Sequence, residues 1–448
     1  MNFGTISGVV RFNFEKDLKM EVLKYDIAII GGGAGGLAAA VCISKKLNKN
    51  GKKYKIVVIE KEQKCGRKLL ATGNGKCNLT NENMSPEYYN KSSREFISPI
   101  LSKYKTDKLT SFFSSLGMIF RSDSAGRVYP YSGMSADVLN TLVMNVEMYG
   151  TDIHCGVNID KIEKQSTGFK LSAGKVSYVC KKLIIASGGK AQPNLGSKGA
   201  SYCFAKMLGL DVAAVYPALA PIPCGDNDLA LVKGVRVPCC VTLKADGKTI
   251  HTEKGELQLN ENNVSGICVF QLSRYAGEFF TLGTVSGEKA DKILISADLM
   301  PEYTQEDIEN YLEMQRRRYS AVKTEEIFTG MLNRKLGMFL CGRAGIDTNE
   351  YMYSVSDDNI VRLAAVVKNC TFTPSAVPSF NTSQVTAGGI KVSQINNDMS
   401  CKKHSDLYIV GEALDVDGMC GGYNLHFAFA SGIIAGNACA DKLKGGRK

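Results

Sequence analysis

Short, wholly apolar runs alternate along the chain with longer segments whose apolar residues recur every three or four positions. The run Asp26-Ile27-Ala28-Ile29-Ile30 predicts a central strand of a parallel sheet, covered on both faces. The Ala/Leu-rich stretch LAAAVCISKKL after it predicts a helix, and Lys55-Ile56-Val57-Val58-Ile59 a second strand. Helical spacing recurs over 107–117 and 135–149, with a strand, Arg127-Val128-Tyr129-Pro130, between them. From Ile153 to Lys182 short alternating runs, among them Phe169-Lys170-Leu171 and Val176 to Val179, predict a small antiparallel crossover sheet. Lys182 to Gly189 then predicts a second buried strand ending in small residues. From about Leu195 the pattern turns to repeated β-like runs, such as Cys239 to Leu243, the Asp246-Gly247 turn and Ile293 to Ile295. Between Pro301 and Ala365 helix formers dominate, notably over 305–319 and 325–340, and β-like character resumes near Val366 to Phe380. Leu407 to Val410 predicts a last buried strand, followed by a loop, Asp415 to Gly422, and a helix from near Tyr423.

The first strand runs into Gly31, Gly33 and Gly36 at G-x-G-x-x-G spacing. In a strand-turn-helix unit the first glycine serves a tight turn, the second lets backbone approach a diphosphate, and the third lets helix and strand pack closely. Helix N–H groups from Ala34 onward then face the anion. The second strand ends in Glu60, about 24 residues past Gly36, where an acid accepts adenosine ribose hydroxyls. The stretch predicts a dinucleotide site. Gly196-Ser197-Lys198-Gly199 lacks the strand-turn-helix context of a second such unit, so no domain is dedicated to a pyridine nucleotide.

A chain of 448 residues, 44% hydrophobic and 22% charged, predicts a globular protein of two or three domains. The net charge of +11 is spread widely, with short clusters at Arg316-Arg317-Arg318 and Lys442 to Lys448, and favours anionic ligands over nucleic acid. Fifteen cysteines without a signal peptide or C-x-x-C pairing predict reduced thiols in a soluble cytoplasmic protein, with no metal site. No apolar run reaches the roughly 18 residues that cross a bilayer. Residues 1–20 have no sustained period and precede Met20, which is expected to be the natural start.

The glycine-rich loop after Glu60 carries the most specific pattern. GRKLLATGNGKCNLTN resembles the G-R-K-L-L-x-S-G-x-G-R-C-N-x-T-N signature of a family of bacterial FAD-dependent flavoproteins that includes aminoacetone oxidase and a reductase of unsaturated 3-oxo bile-acid intermediates. The likeness continues through RVYPYSGMSADVL, LIIASGGKAQP, LGSKGASYCFAKMLG, VTAGGIKV and LYIVGEALDVDGMCGGYNLHFAFASGIIAG. The chain departs from the pattern at Lys76, at Ala200-Ser201 and at His426, where the family has arginine, Asp-Gly and glutamine.

The resemblance implies an α/β fold: a Rossmann-like, glutathione-reductase-type FAD-binding domain (21–194 and 386–448) with an inserted β-barrel-like domain (195–300 and 366–385) that itself carries a helical subdomain (301–365). It places Gly73, Lys76, Cys77 and Asn78 under the flavin, Ile159 at the adenine, and Glu412 at the ribityl chain or a phosphate. Asn424 and Leu425 present backbone to the pyrimidine edge. Lys61, Arg67, Lys68, Ala186, Gly188, Gly388 and Gly411 complete the expected cofactor contacts. His426 is the leading acid–base candidate, being the single histidine of four inside a flavin-side motif, with orientation of the cofactor or capping of the helix as its alternative roles. The start of its helix is expected to lower its pKa. Cys77 has no partner at redox spacing and reads as a packed residue. Tyr129, Arg343 and Tyr423 are substrate-side candidates.

The preferred function is reduction of an activated C=C bond, in a small or steroid-like molecule, by NADH or NADPH docking transiently at the flavin. Oxidation of a small amine with peroxide release is the alternative, and cysteine richness sits poorly with it. An FAD protein acting on tRNA, and a redox sensor without turnover, are further readings.

Overall fold

In the computed structural model, residues 21–51 and 53–445 are described; the expected N-terminal extension, 1–20, lies outside them. The chain divides into two compact units, one from residues up to Val215 together with Val385 onward, the other Tyr216–Gln384.

The first unit is built on β1 (Glu21–Ile30), α1 (Ala34–Asn48), β2 (Ile56–Glu60), α2 (Thr106–Ser114), β3 (Val176–Ile185), β4 (Leu407–Ile409) and α3 (Tyr423–Gly445). Ile27 to Ile30 pair in parallel, in constant register, with Ile56 to Ile59 on one side and Lys182 to Ile185 on the other. Their side chains are buried on both faces, which accounts for an unbroken apolar run where alternation would mark a half-exposed strand. Asp152–Cys155 extends the sheet in parallel beyond β2, and β4 pairs in parallel with β3. Lys161–Gln165 and Gly168–Ala173 add an antiparallel meander on the far edge of β3.

The crossover region therefore differs from expectation. Val176 to Ile185 is one continuous strand, not two, serving the meander with its first half and the parallel core with its second. Asp152–Cys155 belongs to the parallel sheet. Alternating residues alone do not reveal which neighbour a strand takes.

In the second unit six antiparallel strands run in the order Ile222–Pro223, Asn263–Ser265, Lys248–Leu259, Arg236–Ala245, Ile293–Asp298, Cys370–Phe372. The long central hairpin turns at Asp246 and Gly247, with φ of 47° and 81°, the left-handed pair a two-residue hairpin requires. Beyond the two outer strands a bridge joins Cys224 to Pro374, with Gly225 N–H on Thr373 O at 3.0 Å and Ser375 N–H on Pro223 O at 3.0 Å.

Two helical expectations in this unit are corrected. Ile267–Leu282 is a 16-residue helix inside a region read as strands; its many aromatic and β-branched residues hide the helical period, and it packs on the Lys248–Leu259 strand. The helix expected over 325–340 is broken: Gly330 at φ 85° ends a short turn, and a new helix, Arg334–Arg343, begins where Asn333 Oδ1 accepts the Lys335 N–H.

Charge divides unevenly between the sequences of the two units. Residues 1–215 and 385–448 hold 38 Lys+Arg against 23 Asp+Glu, whereas 216–384 hold 17 against 21. The positive excess that looks diffuse along the chain belongs to the first unit.

Candidate cofactor site

The turn between β1 and α1 separates the glycines by task. At Gly31, φ is +106° and a Cβ would lie 2.5 Å from Ala186 O; at Gly36 a Cβ would lie 2.0 Å from Gly31 O. Both are demanded by backbone packing. Gly33 has ordinary extended backbone, φ −87° and ψ −168°, and a Cβ there would meet nothing within 4 Å. Space is therefore kept at Gly33 for something other than protein. Behind it α1 starts at Ala34 with no side-chain cap and no acid in its first turn, which leaves its N–H groups for an anion.

Glu60, at the end of β2, accepts the Gly32 N–H at 2.8 Å through Oε2 and the Glu62 N–H at 2.9 Å through Oε1. Each oxygen keeps a lone pair that a ribose hydroxyl can use. The segment reaching Ile159, which is 6% exposed, passes beside it, Val157 N–H donating to Glu60 O at 3.0 Å. Lys61 is half-buried, and desolvation lowers its pKa.

The loop that follows is tied down by ion pairs. Arg67 pairs with Glu62 on its own loop, so its charge is committed there. Lys68 reaches Glu412 at 2.5 Å. Glu412 Oε1 also accepts Thr386 N–H at 3.0 Å and Thr386 Oγ1–H at 2.9 Å, and Thr386 Oγ1 accepts the N–H groups of Lys190 and Ala191 at 2.7 and 2.9 Å. This knot joins four segments: the loop, the residues after β3, the return through Val385–Ala387 and the turn after β4. Sequence reading missed Thr386, whose one signal was its place between a strand and Gly388. Gly188, Gly388 and Gly411 all have left-handed backbone, φ 72°, 79° and 67°. At Gly388 a Cβ would lie 1.9 Å from Ala214 O.

The stretch Thr72–Asn78 folds tightly, with Gly73, Asn74 and Cys77 left-handed at φ 56°, 53° and 56°. Cys77 is wholly buried and desolvation pushes its thiol up to about 12, so it is a packed thiol and no nucleophile. Lys76 is exposed. Asn78 Oδ1 is buried without a hydrogen-bond partner and lies 2.8 Å from where a Gly422 Cβ would be. A buried orphan acceptor is costly unless a ligand donates to it.

Gly422, at φ +99°, leads into α3; a Cβ on it would meet Thr80 O at 2.6 Å. The Asn424 side chain turns back to clamp the preceding loop, accepting Gly418 N–H and donating to Gly418 O, both at 2.8 Å. That leaves the backbone N–H groups of Tyr423, Asn424 and Leu425 as the helix terminus, since the first intrahelical bond is His426 N–H to Gly422 O at 2.9 Å. Small residues let α3 lie directly on α1: a Cβ on Gly432 would be 2.2 Å from Gly35 O, and one on Gly436 2.6 Å from Ala39 O. The two helix N-termini are thereby held in fixed relation.

His426 is corrected from acid–base group to anchor. It is fully buried, its Nε2 lies 2.8 Å from Tyr104 O and its Nδ1 2.8 Å from Thr80 Oγ1. A carbonyl can only accept, so Nε2 carries the proton and Nδ1 accepts from Thr80. Both nitrogens are spent on protein. Burial lowers its pKa to about 4, against the hydrogen bond to Tyr104 O, which raises it.

Arg343, in the second unit, is likewise no substrate ligand. It pairs with Asp226 at 3.3 Å and Asp228 at 2.8 Å, donates to Thr371 O, and lies over the Phe339 and Phe372 rings. Tyr129 remains half-buried, and Tyr423 stacks on Tyr88 with centroids 4.7 Å apart. Among the described residues no cluster of His, Cys, Asp and Glu could hold a metal, and no helix is long and apolar enough to cross a membrane.

An uncapped helix over an open glycine, an acid at the ribose position, an orphaned acceptor and a second helix terminus together fit an FAD molecule. Residues 25–438 match the family model described as HI0933-like protein Rossmann domain. The chain is 31% identical over 417 residues to the 3-dehydro-bile acid delta(4,6)-reductase of Clostridium scindens, covering 93% of this chain and 99% of that one. It is 28% identical to the ribosomal RNA dihydrouridine synthase of Haemophilus influenzae, covering 92% and 96%. Among solved structures, the 3-ketosteroid delta1-dehydrogenase of Sterolibacterium denitrificans shares the fold, with TM-score 0.50 at 11% identity over 94% of this chain and 100% of that one. The chain belongs to the HI0933-like FAD-binding Rossmann family and is an FAD-dependent oxidoreductase.

Proposed function

We propose that the protein reduces a C=C bond conjugated to a carbonyl, taking electrons from NADH or NADPH. The observation that carries this reading is a bond class shared by two relatives with different substrates. A delta(4,6) double bond in a 3-dehydro steroid and the uracil double bond lost in dihydrouridine are both C=C bonds polarised by a C=O. Bound FAD supplies the hydride chemistry. The chain's contribution is position and field: α1 and Gly33 hold the diphosphate, Glu60 the ribose, the Lys68–Glu412–Thr386 knot the ribityl side, and the α3 terminus with Asn78 the pyrimidine edge.

In the same reading the first unit, through Val215 and from Val385, is the cofactor domain, and the strands of the second form a barrel-like support, consistent with the Cys224–Pro374 bridge between its outer strands, with 301–365 a helical subdomain. The boundary expected at 194 falls at 215 because Tyr202, Phe204 and Ala205 of the helix Ala200–Met207 are buried in the first unit's core. With no second dinucleotide fingerprint, the nicotinamide docks transiently.

A second reading is favoured by the charge partition: the substrate ring is a uracil within RNA, brought in by the basic first unit. Its 38 basic residues against 23 acidic suit a polyanion better than an isolated steroid. The test is anaerobic stopped-flow mixing of the yellow holoenzyme with NADH, NADPH or aminoacetone. Flavin bleaching by a pyridine nucleotide is expected. Bleaching by aminoacetone alone makes the protein an amine oxidase and refutes the proposal.

A further inference from the structure

The first unit also carries a basic groove that the cofactor site does not use. It is a cavity of about 400 Å³ between α1, α2 and α3, floored by Val41 and Ile433. Lys45 and Lys46 line it from α1, Lys108 from α2, and Asn437 from α3, with the rings of Tyr104 and Phe112 beside them. Lys46 is paired to Asp441 at 2.6 Å. Lys45 and Lys108 have no acidic partner among the described residues, and Lys49, Lys103 and Lys105 stand exposed nearby in sequence. The acids on these elements nearest in sequence are Asp107 and the already paired Asp441.

An apolar floor with aromatic edges and unpaired ammonium groups matches one ligand chemistry well: a flat base on the rings and a phosphate on the lysines. The groove is not a place of reaction. Ile433 lies ten residues along α3 from Tyr423, which at 1.5 Å per residue is about 15 Å from the helix terminus, too far for hydride transfer there. It is, however, mechanically joined to that end, because Tyr104, which lines the groove, gives its carbonyl to His426.

We propose that this groove is a docking site for single-stranded RNA, engaging a nucleotide outside the reacting one through Lys45, Lys108 and the Tyr104 and Phe112 rings. The inference rests on the uracil-in-RNA reading above, and its position in the basic unit supplies the charge complementarity. Steering and holding come from phosphate contacts, which carry little sequence information.

The test uses the FAD-loaded enzyme and a fluorescein-labelled, uridine-rich RNA 20-mer, followed by fluorescence polarisation across a NaCl series. The comparison is with K45E/K108E, which reverses the charge, and with K45Q/K108Q, which removes it while keeping a polar side chain. Flavin content, melting temperature and the rate of flavin reduction by NAD(P)H are expected to match the parent in all of them. RNA affinity is expected to fall at least tenfold in K45E/K108E, and the slope of log K against log salt to flatten by about 1.4, about 0.7 per lost phosphate contact on a single strand. Unchanged affinity and slope would overturn the proposal. So would AMP saturating the groove as tightly as the 20-mer, which makes it a mononucleotide site, or lysine-dependent binding of anionic phospholipid vesicles without RNA binding. RNA bound through these lysines but not reduced leaves the docking site standing and removes the uracil reading.

Discussion

Gly33→Asp isolates the ligand's demand on the fingerprint from the fold's. Nothing lies within 4 Å of a Cβ at Gly33 and its φ of −87° suits any residue, so the chain accommodates the side chain. The aspartate carboxylate then faces the diphosphate. One pair of like charges at about 4 Å costs about 4 kcal/mol at an effective dielectric of 20, which is about a thousandfold in FAD affinity. Gly36→Ala is the contrasting change, because its Cβ falls 2.0 Å from Gly31 O and forces α1 off β1. It is expected to lose about 1–3 kcal/mol of stability. The assay is titration of apoprotein with FAD, read by quenching of flavin fluorescence, beside thermal melting of the same apoproteins. G33D should melt like the parent and bind FAD far more weakly; G36A should melt lower. If G33D binds FAD within twofold of the parent, the diphosphate does not lie at Gly33 and the assignment of this turn is wrong.

His426 is neutral when folded, with a pKa of about 4 against about 6.5 unfolded, so the unfolded chain binds the extra proton between those values. Stability from this group is complete above pH 6.5 and declines by about 3 kcal/mol as pH falls to 4; H426Q, which can still donate to Tyr104 O and accept from Thr80, should flatten that limb in melting curves and leave the pH profile of turnover unchanged. Loss of a turnover limb in H426Q would restore an acid–base role. Arg343→Ala strands the partly exposed Asp226 and Asp228 and removes the packing on two rings, a loss of about 1.5–3 kcal/mol; a denaturant midpoint equal to the parent's would contradict the structural role given to Arg343. Cys77, with its thiol near 12, should resist iodoacetamide in native protein at mildly alkaline pH while exposed Cys203 reacts, as peptide mass mapping can record.

Much of the cofactor half is legible in sequence because its devices are local. The glycine spacing, the acid ending β2 and the strand-loop-helix of the last block are all set within about 30 residues, and each lies where the pattern puts it. What escaped depends on partners far along the chain. Thr386 matters through Glu412 and Lys190, and Lys68 through Glu412, none of which a linear reading joins. His426 looked like an acid because of its motif; Thr80 and Tyr104, more than 300 positions away, make it an anchor. Charge misled for a related reason. Spread along the sequence it looks diffuse, yet 38 of the 55 basic residues belong to the sequence of the unit containing the cofactor site.

The most direct measurement of the central claim is the oxidative half-reaction. Holoenzyme reduced anaerobically with one equivalent of NAD(P)H is mixed, without oxygen, with a 3-oxo-Δ4,6 steroid or with uridine-containing RNA, and flavin reoxidation is followed alongside mass analysis of the product. Reoxidation at the rate at which product gains two mass units is the expected result. A flavin that stays reduced with every conjugated C=C acceptor, and reoxidises rapidly only when oxygen is admitted, would contradict the assignment of this protein as a C=C reductase.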